Sequence, residues 1–151
     1  MNEDLFHLGI KAVIRNKKGE VLLLKTNPKK LIITHDWKGQ AYWDIPGGRI
    51  KKKDTVEKTL KREIKEETGI GKIRKITPFV MVLGNIRIPI GKETVGLILS
   101  TYLCDVDNLA NLKISSEHLE GQWFTPKKAS RLLEYKYPKT FTDKLKKLTS
   151  K

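Results

Sequence analysis

Trp43-Asp-Ile-Pro-Gly-Gly-Arg-Ile50, then Lys51-Lys-Lys-Asp54, then Thr55-Val-Glu-Lys-Thr-Leu-Lys-Arg-Glu-Ile-Lys-Glu-Glu-Thr68, then Gly69-Ile70: this stretch decides the fold. Its apolar start predicts a short strand. Pro46-Gly47-Gly48 interrupts regular structure and permits positive φ and close approach of the backbone. Asp54 followed by Glu57 makes a capping-box pattern, with Asp54 as the expected N-cap. The helix is expected over Thr55 to Thr68, with Gly69 as its stop.

Each helical residue turns the side chain by about 100°. With Glu63 set at zero, Glu67 falls at about 40° and Glu66 at about 300°. Val56, Leu60 and Ile64 span about 20–100°, and Lys58, Lys61 and Lys65 lie opposite, at about 160–220°. Three carboxylates therefore gather at the edge of the apolar stripe, and the lysines that would neutralise them point away. An acidic helix edge alone is most often a solvated face. Carboxylates partly sheltered from water, however, are unfavourable unless a cation joins them. Magnesium takes hard oxygen ligands, typically a few carboxylates together with phosphate oxygens.

The arrangement resembles the Nudix box of the MutT-like Nudix hydrolases. That box is a glycine, then a glutamate, then Arg-Glu, an aliphatic, Glu-Glu, a glycine and an aliphatic at fixed spacings. The matching positions are Gly48, Asp54, Arg62, Glu63, Ile64, Glu66, Glu67, Gly69 and Ile70. Asp54 departs from the pattern, standing where the family usually has Glu. The resemblance implies an α/β fold, an α/β/α sandwich with a mixed β-sheet. It also implies hydrolysis of a nucleoside diphosphate-linked substrate with Mg²⁺ or Mn²⁺. Glu63, Glu66 and Glu67 are then expected to hold metal, joined by the Gly47 carbonyl. Arg62 is expected to orient the glutamates by bidentate contacts, and Glu66 to act as ligand or base. Gly48 belongs to the expected substrate loop.

Composition agrees with one globular domain over the 151 residues, of which 38% are hydrophobic. No apolar run approaches the length of a membrane span, and Met1-Asn2-Glu3-Asp4 does not read as a signal peptide. The lone Cys104 allows no internal disulfide, in keeping with a cytoplasmic location. Cys104 is expected in the core. Thirty-one Lys and Arg against 17 Asp and Glu give a net charge of +14. That balance favours anionic partners, nucleotides or RNA. Aromatic residues do not interleave with the basic runs as a stacking platform would require. Nothing distinguishes a monomer from a homodimer.

Outward from the box, His7 to Arg15 and Glu20 to Lys25 read as a hairpin around Asn16-Lys17-Lys18-Gly19. Lys25 is either a strand-end lysine or a contact to substrate phosphates. Trp37, in the irregular stretch before the box, either stacks on a base or packs inside. Phe79 to Ile88 reads as a strand, and Thr94 to Val106 as a long central strand with apolar residues on both faces. A Gln122-Trp123-Phe124 strand follows, then a helix over Lys127 to Lys136 after Pro126. A tail helix is expected over Thr142 to Leu148. Family resemblance points to an acidic residue in the loop before Trp123 as a further ligand or base; Glu117 is the candidate and Glu120 the alternate. Phe141 lines either the base pocket or the core.

The tyrosine and proline that mark diadenosine polyphosphate and ADP-ribose enzymes of the family do not fall at the expected distance beyond the box. A nucleoside triphosphate pyrophosphohydrolase of the house-cleaning type is therefore the leading expectation. The alternatives are removal of pyrophosphate from RNA 5′ ends and a non-catalytic module that binds nucleotides or RNA.

Overall fold

The computed structural model describes residues 2–30, 40–107 and 111–149. Among these the chain forms β1 (Phe6–Arg15), β2 (Val21–Thr26), β3 (Trp43–Asp44), β4 (Gly47–Arg49), α1 (Val56–Thr68), β5 (Lys75–Leu83), β6 (Ile88–Ile90), β7 (Glu93–Asp105), β8 (His118–Phe124), α2 (Pro126–Leu132) and α3 (Lys139–Lys146). The strands form one mixed sheet. Its central path runs β3-β2-β1-β7-β5, with β8 on the other side of β2. β1 and β7 are parallel, and β1 pairs over its whole length, from Phe6 opposite Gly96 to Arg15 opposite Asp105.

Strand alternation divides the interior in two. Even-numbered side chains of β1 and β2 (Ile10, Ala12, Ile14, Leu22, Leu24) pack with Leu60 and Ile64 of α1 and with Cys104. Odd-numbered ones (Val13, Val21, Leu23) pack with Ala129, Leu133, Tyr137, Phe141 and Leu145 on and around α2 and α3. The sheet is thus covered on both faces, an α/β/α sandwich. β7 reads as expected: Leu97 and Leu99 enter one core and Cys104 the other. Burial pushes the Cys104 thiol up to about 12, so it is inert packing.

Several boundaries move. α1 is capped by Thr55, not Asp54: the Thr55 hydroxyl accepts from the Lys58 N–H. Gly69 ends the helix at φ 80°, as its lack of a Cβ permits. The expected Phe79 to Ile88 strand begins earlier, at Lys75, and ends at Leu83, and Pro89 lies in β6 rather than in the turn. The helix after Pro126 is shorter than expected, and the tail helix starts at Lys139, ahead of Thr142.

The position of the site follows from one divergence in the sheet. β1 and β2 leave their turn paired only at Arg15 and Val21. Beyond that point they separate, and the box loop fills the gap. β3 pairs with β2 at Leu24 and Lys25, while β4 pairs with β1 from Gly9 to Lys11. The Pro46 carbonyl accepts the Ala12 N–H at 2.8 Å. Pro46-Gly47-Gly48 therefore does not simply break the chain; Gly47 and Gly48 are strand residues set into the middle of the sheet beneath α1. Only glycine fits at Gly47: φ is 152°, and a Cβ would lie 2.2 Å from the Ile10 carbonyl oxygen. A Cβ on Gly48 would lie 2.6 Å from Glu63 Oε1.

Candidate active site

Two cavities meet at this loop. The outer one, of about 410 Å³, is lined by Gly47, Gly48, Glu63, Glu66, Glu67 and Glu117, with Lys51, Ser115 and Ser116. The inner one, of about 320 Å³, shares Gly47, Gly48, Glu67 and Glu117. It continues on the α2–α3 side of the sheet to Lys11, Tyr42, Asp44 and Lys136 and to an apolar wall of Ile86, Ile88, Leu97 and Leu99. Lys30, Arg49 and His118 also border it.

Glu67 is the buried member of the acidic group, 6% exposed. Its Oε2 accepts the Gly47 N–H at 2.8 Å. Burial lifts its carboxyl to about 8; Lys11 and the Gly47 N–H oppose that rise, and Glu63 and Asp44 add to it. Glu63, half-buried, is also raised, first by burial and then by Glu66, with Arg62 opposing. Glu66 and Glu117 are exposed. All the donors are oxygens, and Gly47 and Gly48 leave room beside them. That donor set fits a hard divalent cation. Among the described residues no three acidic or imidazole side chains are yet grouped around one point. Glu67 is turned to the Gly47 N–H, and Glu63 lies 3.5 Å from Arg62 Nη2.

Arg62 does not grip the glutamates in the expected bidentate manner. Its Nη1 bonds Asp54, and its Nε and Nη2 have no hydrogen bond. The aspartate at the family's glutamate position thus fixes Arg62 rather than capping the helix. Glu117 borders both cavities, whereas Glu120 pairs across from Lys25 on β8 and borders neither. Lys25 turns its ammonium over the Trp43 ring at 5.7 Å and is not part of either cavity wall. Phe141 is fully buried against Tyr137 and Phe79, which places it in the core and not at the base pocket. Trp37 lies outside the described residues.

Sequence reasoning passed over the floor of the inner cavity. Asp44 Oδ2 accepts from Lys136 Nζ at 2.6 Å and from Lys11 Nζ at 3.4 Å. Its Oδ1 accepts from the Tyr137 hydroxyl at 2.6 Å and the Ile45 N–H at 2.8 Å. Burial pushes the Asp44 carboxyl up, but Lys11, Lys136 and Tyr137 outweigh it and hold the group well below the usual carboxylate range. His118, the first residue of β8, also lies here. Its side chain is 10% exposed, with Nε2 3.9 Å from Glu67 Oε1. Burial, reinforced by Lys11, lowers it to about 4, so at neutral pH the pair is not ionic. The available signal was a charge inside an apolar strand: Lys11 in Ile10-Lys11-Ala12-Val13, and Asp44 between Trp43 and Ile45.

A mixed sheet covered on both faces, with a glycine loop under a carboxylate-bearing helix, defines a class of α/β/α proteins built around that helix. A family model described as the NUDIX domain matches residues 5–145, and the chain belongs to that family, on its MutT-like side. An 8-oxo-dGTP diphosphatase of Buchnera aphidicola subsp. Acyrthosiphon pisum (strain APS) is 43% identical over 42 residues, 28% of this chain and 34% of that protein. An 8-oxo-dGTP diphosphatase of Buchnera aphidicola subsp. Schizaphis graminum (strain Sg) is 31% identical over 58 residues, 38% of this chain and 39% of that protein. The chain thus spans little more than a third of these curated relatives. Among solved structures, the MutT protein from Methanosarcina mazei Go1 superposes with a TM-score of 0.62 at 25% identity, covering 96% of this chain and 94% of that one. The E. coli dihydroneopterin triphosphate pyrophosphohydrolase gives a TM-score of 0.68 at 15% identity, over 93% and 94% of the two chains, a likeness of fold. No described helix is long and apolar enough to cross a membrane.

Proposed function

We propose that this protein is a Mg²⁺- or Mn²⁺-dependent hydrolase of phosphoanhydride bonds in nucleoside diphosphate-linked substrates, foremost a nucleoside triphosphate pyrophosphohydrolase. The observation that carries the reading is that the two cavities share a wall at Gly47, Gly48, Glu67 and Glu117. An acidic chamber lined by Glu63, Glu66, Glu67 and Glu117 lies against a half-apolar pocket of about 320 Å³. The first suits metal and phosphates; the second suits a nucleoside. The 8-oxo-dGTP diphosphatases that resemble part of the chain support the same class.

In this reading Glu63, Glu66 and Glu67 hold the metal, with the Gly47 carbonyl as a further oxygen. When bound, the ion would supply charge for the phosphoryl oxygens and make a water easier to deprotonate. Glu117, on the loop before β8, takes the proton of the attacking water. Gly48 keeps the backbone low enough for the substrate to pass Glu63. Asp54 fixes Arg62, whose free donors steady Glu63. Lys51 brings positive charge to the wall of the acidic chamber, beside the phosphates.

The test is a screen of nucleoside di- and triphosphates, dinucleotides and triphosphorylated RNA with Mg²⁺ and Mn²⁺. The expected result is release of pyrophosphate from one or more nucleoside triphosphates. No turnover of any phosphoanhydride with either metal would overturn the reading.

A further inference from the structure

The floor of the inner cavity has an uneven supply of hydrogen-bonding groups. A carboxylate offers about four lone-pair sites. Asp44 has four donors on its two oxygens: Lys11, Lys136, the Tyr137 hydroxyl and the Ile45 N–H. Its accepting capacity is spent within the protein. The donors are in surplus. Each ammonium has three N–H groups, and among the described residues the Lys11 and Lys136 ammoniums each place one on Asp44 and make no other hydrogen bond, that of Lys136 also lying 5.8 Å from the Tyr137 ring centre. Both lysines are nine-tenths buried and border the cavity, and the Lys11 contact, at 3.4 Å, is long. Two buried cations share one anion. A ligand that brings an acceptor relieves that imbalance. A ligand that brings another N–H donor meets like groups and loses its own hydration without return. The apolar wall of Leu97, Leu99 and Ile88 beside this floor suits the flat face of a heterocycle.

We propose that Lys11, steadied by Asp44 and backed by Lys136, sets the base preference of this site. It selects nucleobases that present an oxo group to the floor over those that present an exocyclic amino group. The proposal rests on the nucleotide-hydrolase reading above and narrows its substrate class.

The test compares pairs that differ by oxo for amino at one ring carbon: inosine with adenosine triphosphate, and uridine with cytidine triphosphate. A hydrogen bond from a charged donor is worth about 10- to 100-fold in selectivity, so the wild-type kcat/KM should favour the oxo member of each pair by that factor. In Lys11→Met the ratio should collapse toward one. In Lys11→Gln, which keeps an N–H donor, part of it should remain. A wild-type protein with no preference, or with the amino forms favoured, overturns the proposal. So does a Lys11→Met variant that loses the same factor on all four substrates, because Lys11 would then serve the phosphates. If Lys11→Met does not fold, the wild-type ratios still decide. Binding of the inosine and adenosine monophosphates, followed by thermal shift without metal, separates the two readings. Tighter inosine monophosphate binding without any triphosphate turnover keeps this proposal and sinks the hydrolase reading. Triphosphate turnover without oxo preference does the reverse.

Discussion

Glu67 keeps its proton up to about pH 8 because burial disfavours the charged form more than Lys11 and the Gly47 N–H favour it. In the unfolded chain the same group titrates near 4.5. Between those values the folded state binds the extra proton, so its contribution to stability falls as pH rises. His118 acts in the opposite sense between about 4 and its ordinary 6.5, where the unfolded chain binds the extra proton and stability rises with pH. The two oppose each other at mildly acid pH; above 6.5 the His118 effect has ended and that of Glu67 continues to about 8. The expected result, without divalent ions, is a melting temperature that drops from pH 6.5 to 8 and recovers on adding Mg²⁺. In Glu67→Gln both the drop and the recovery should vanish; a wild-type profile flat across that range contradicts the account. A second expectation at this scale concerns the base. Glu117→Gln should lower kcat by about 10–10³ with little change in KM, and Glu120→Gln, outside both cavities, should lower it less. Steady-state kinetics of the two variants checks the ranking, and a reversed ranking transfers the role to Glu120 or Glu66.

The acidic side chains were legible in the sequence because helical spacing alone puts Glu63, Glu66 and Glu67 on one edge. Lys11, Asp44 and Lys136 were not. Their meaning depends on where β1, β3 and the segment after α2 come together, and sequence spacing carries no record of a contact across 92 residues such as Lys136 to Asp44. Lys25 and Phe141 lie away from both cavities for a related reason. Strand parity turns Lys25 toward Trp43, and Tyr137 and Phe79 enclose Phe141.

At the scale of the element, α1 holds the site through two different fits. One is its cap: Thr55→Ala removes the acceptor for the Lys58 N–H and should lower stability by about 1 kcal/mol. The other is the contact with β4. Gly48→Ala drives a methyl against the Glu63 carboxylate, a flexible side-chain end, so the helix should survive while Mg²⁺ affinity and kcat fall. Gly47→Ala meets the rigid Ile10 carbonyl instead, and should impair folding itself. Thermal melts and Mg²⁺ calorimetry on the three variants separate these outcomes; a Gly48→Ala protein with native metal affinity would remove Glu63 from the site. The box told the helix and its stop correctly, but not that the glycines pair with β1. The loop reads as a break because the partner strand lies more than thirty residues upstream.

For the whole molecule, apolar residues on both faces of β7 pointed to a strand covered on two sides, but the sandwich itself was read from the resemblance to the Nudix box. The charge of +14 was equally readable, but its use was not. If RNA ends were the substrate, affinity should fall steeply with salt as counterions are released. A mononucleotide enzyme has few phosphates to neutralise and should show a shallow slope. We expect the shallow slope for GTP and poorer turnover of a triphosphorylated oligonucleotide, measured as KM from low to moderate salt.

The claim that everything else serves is that the α1 carboxylates power nucleotide hydrolysis. The direct measurement is product analysis of a nucleoside triphosphate incubated with Mg²⁺ and either the wild-type protein or Glu67→Gln, with the fold of both checked by circular dichroism. The account predicts monophosphate and pyrophosphate from the wild type, and a kcat lower by about 10³ or more in the variant. A folded Glu67→Gln protein working within about tenfold of wild type would contradict it.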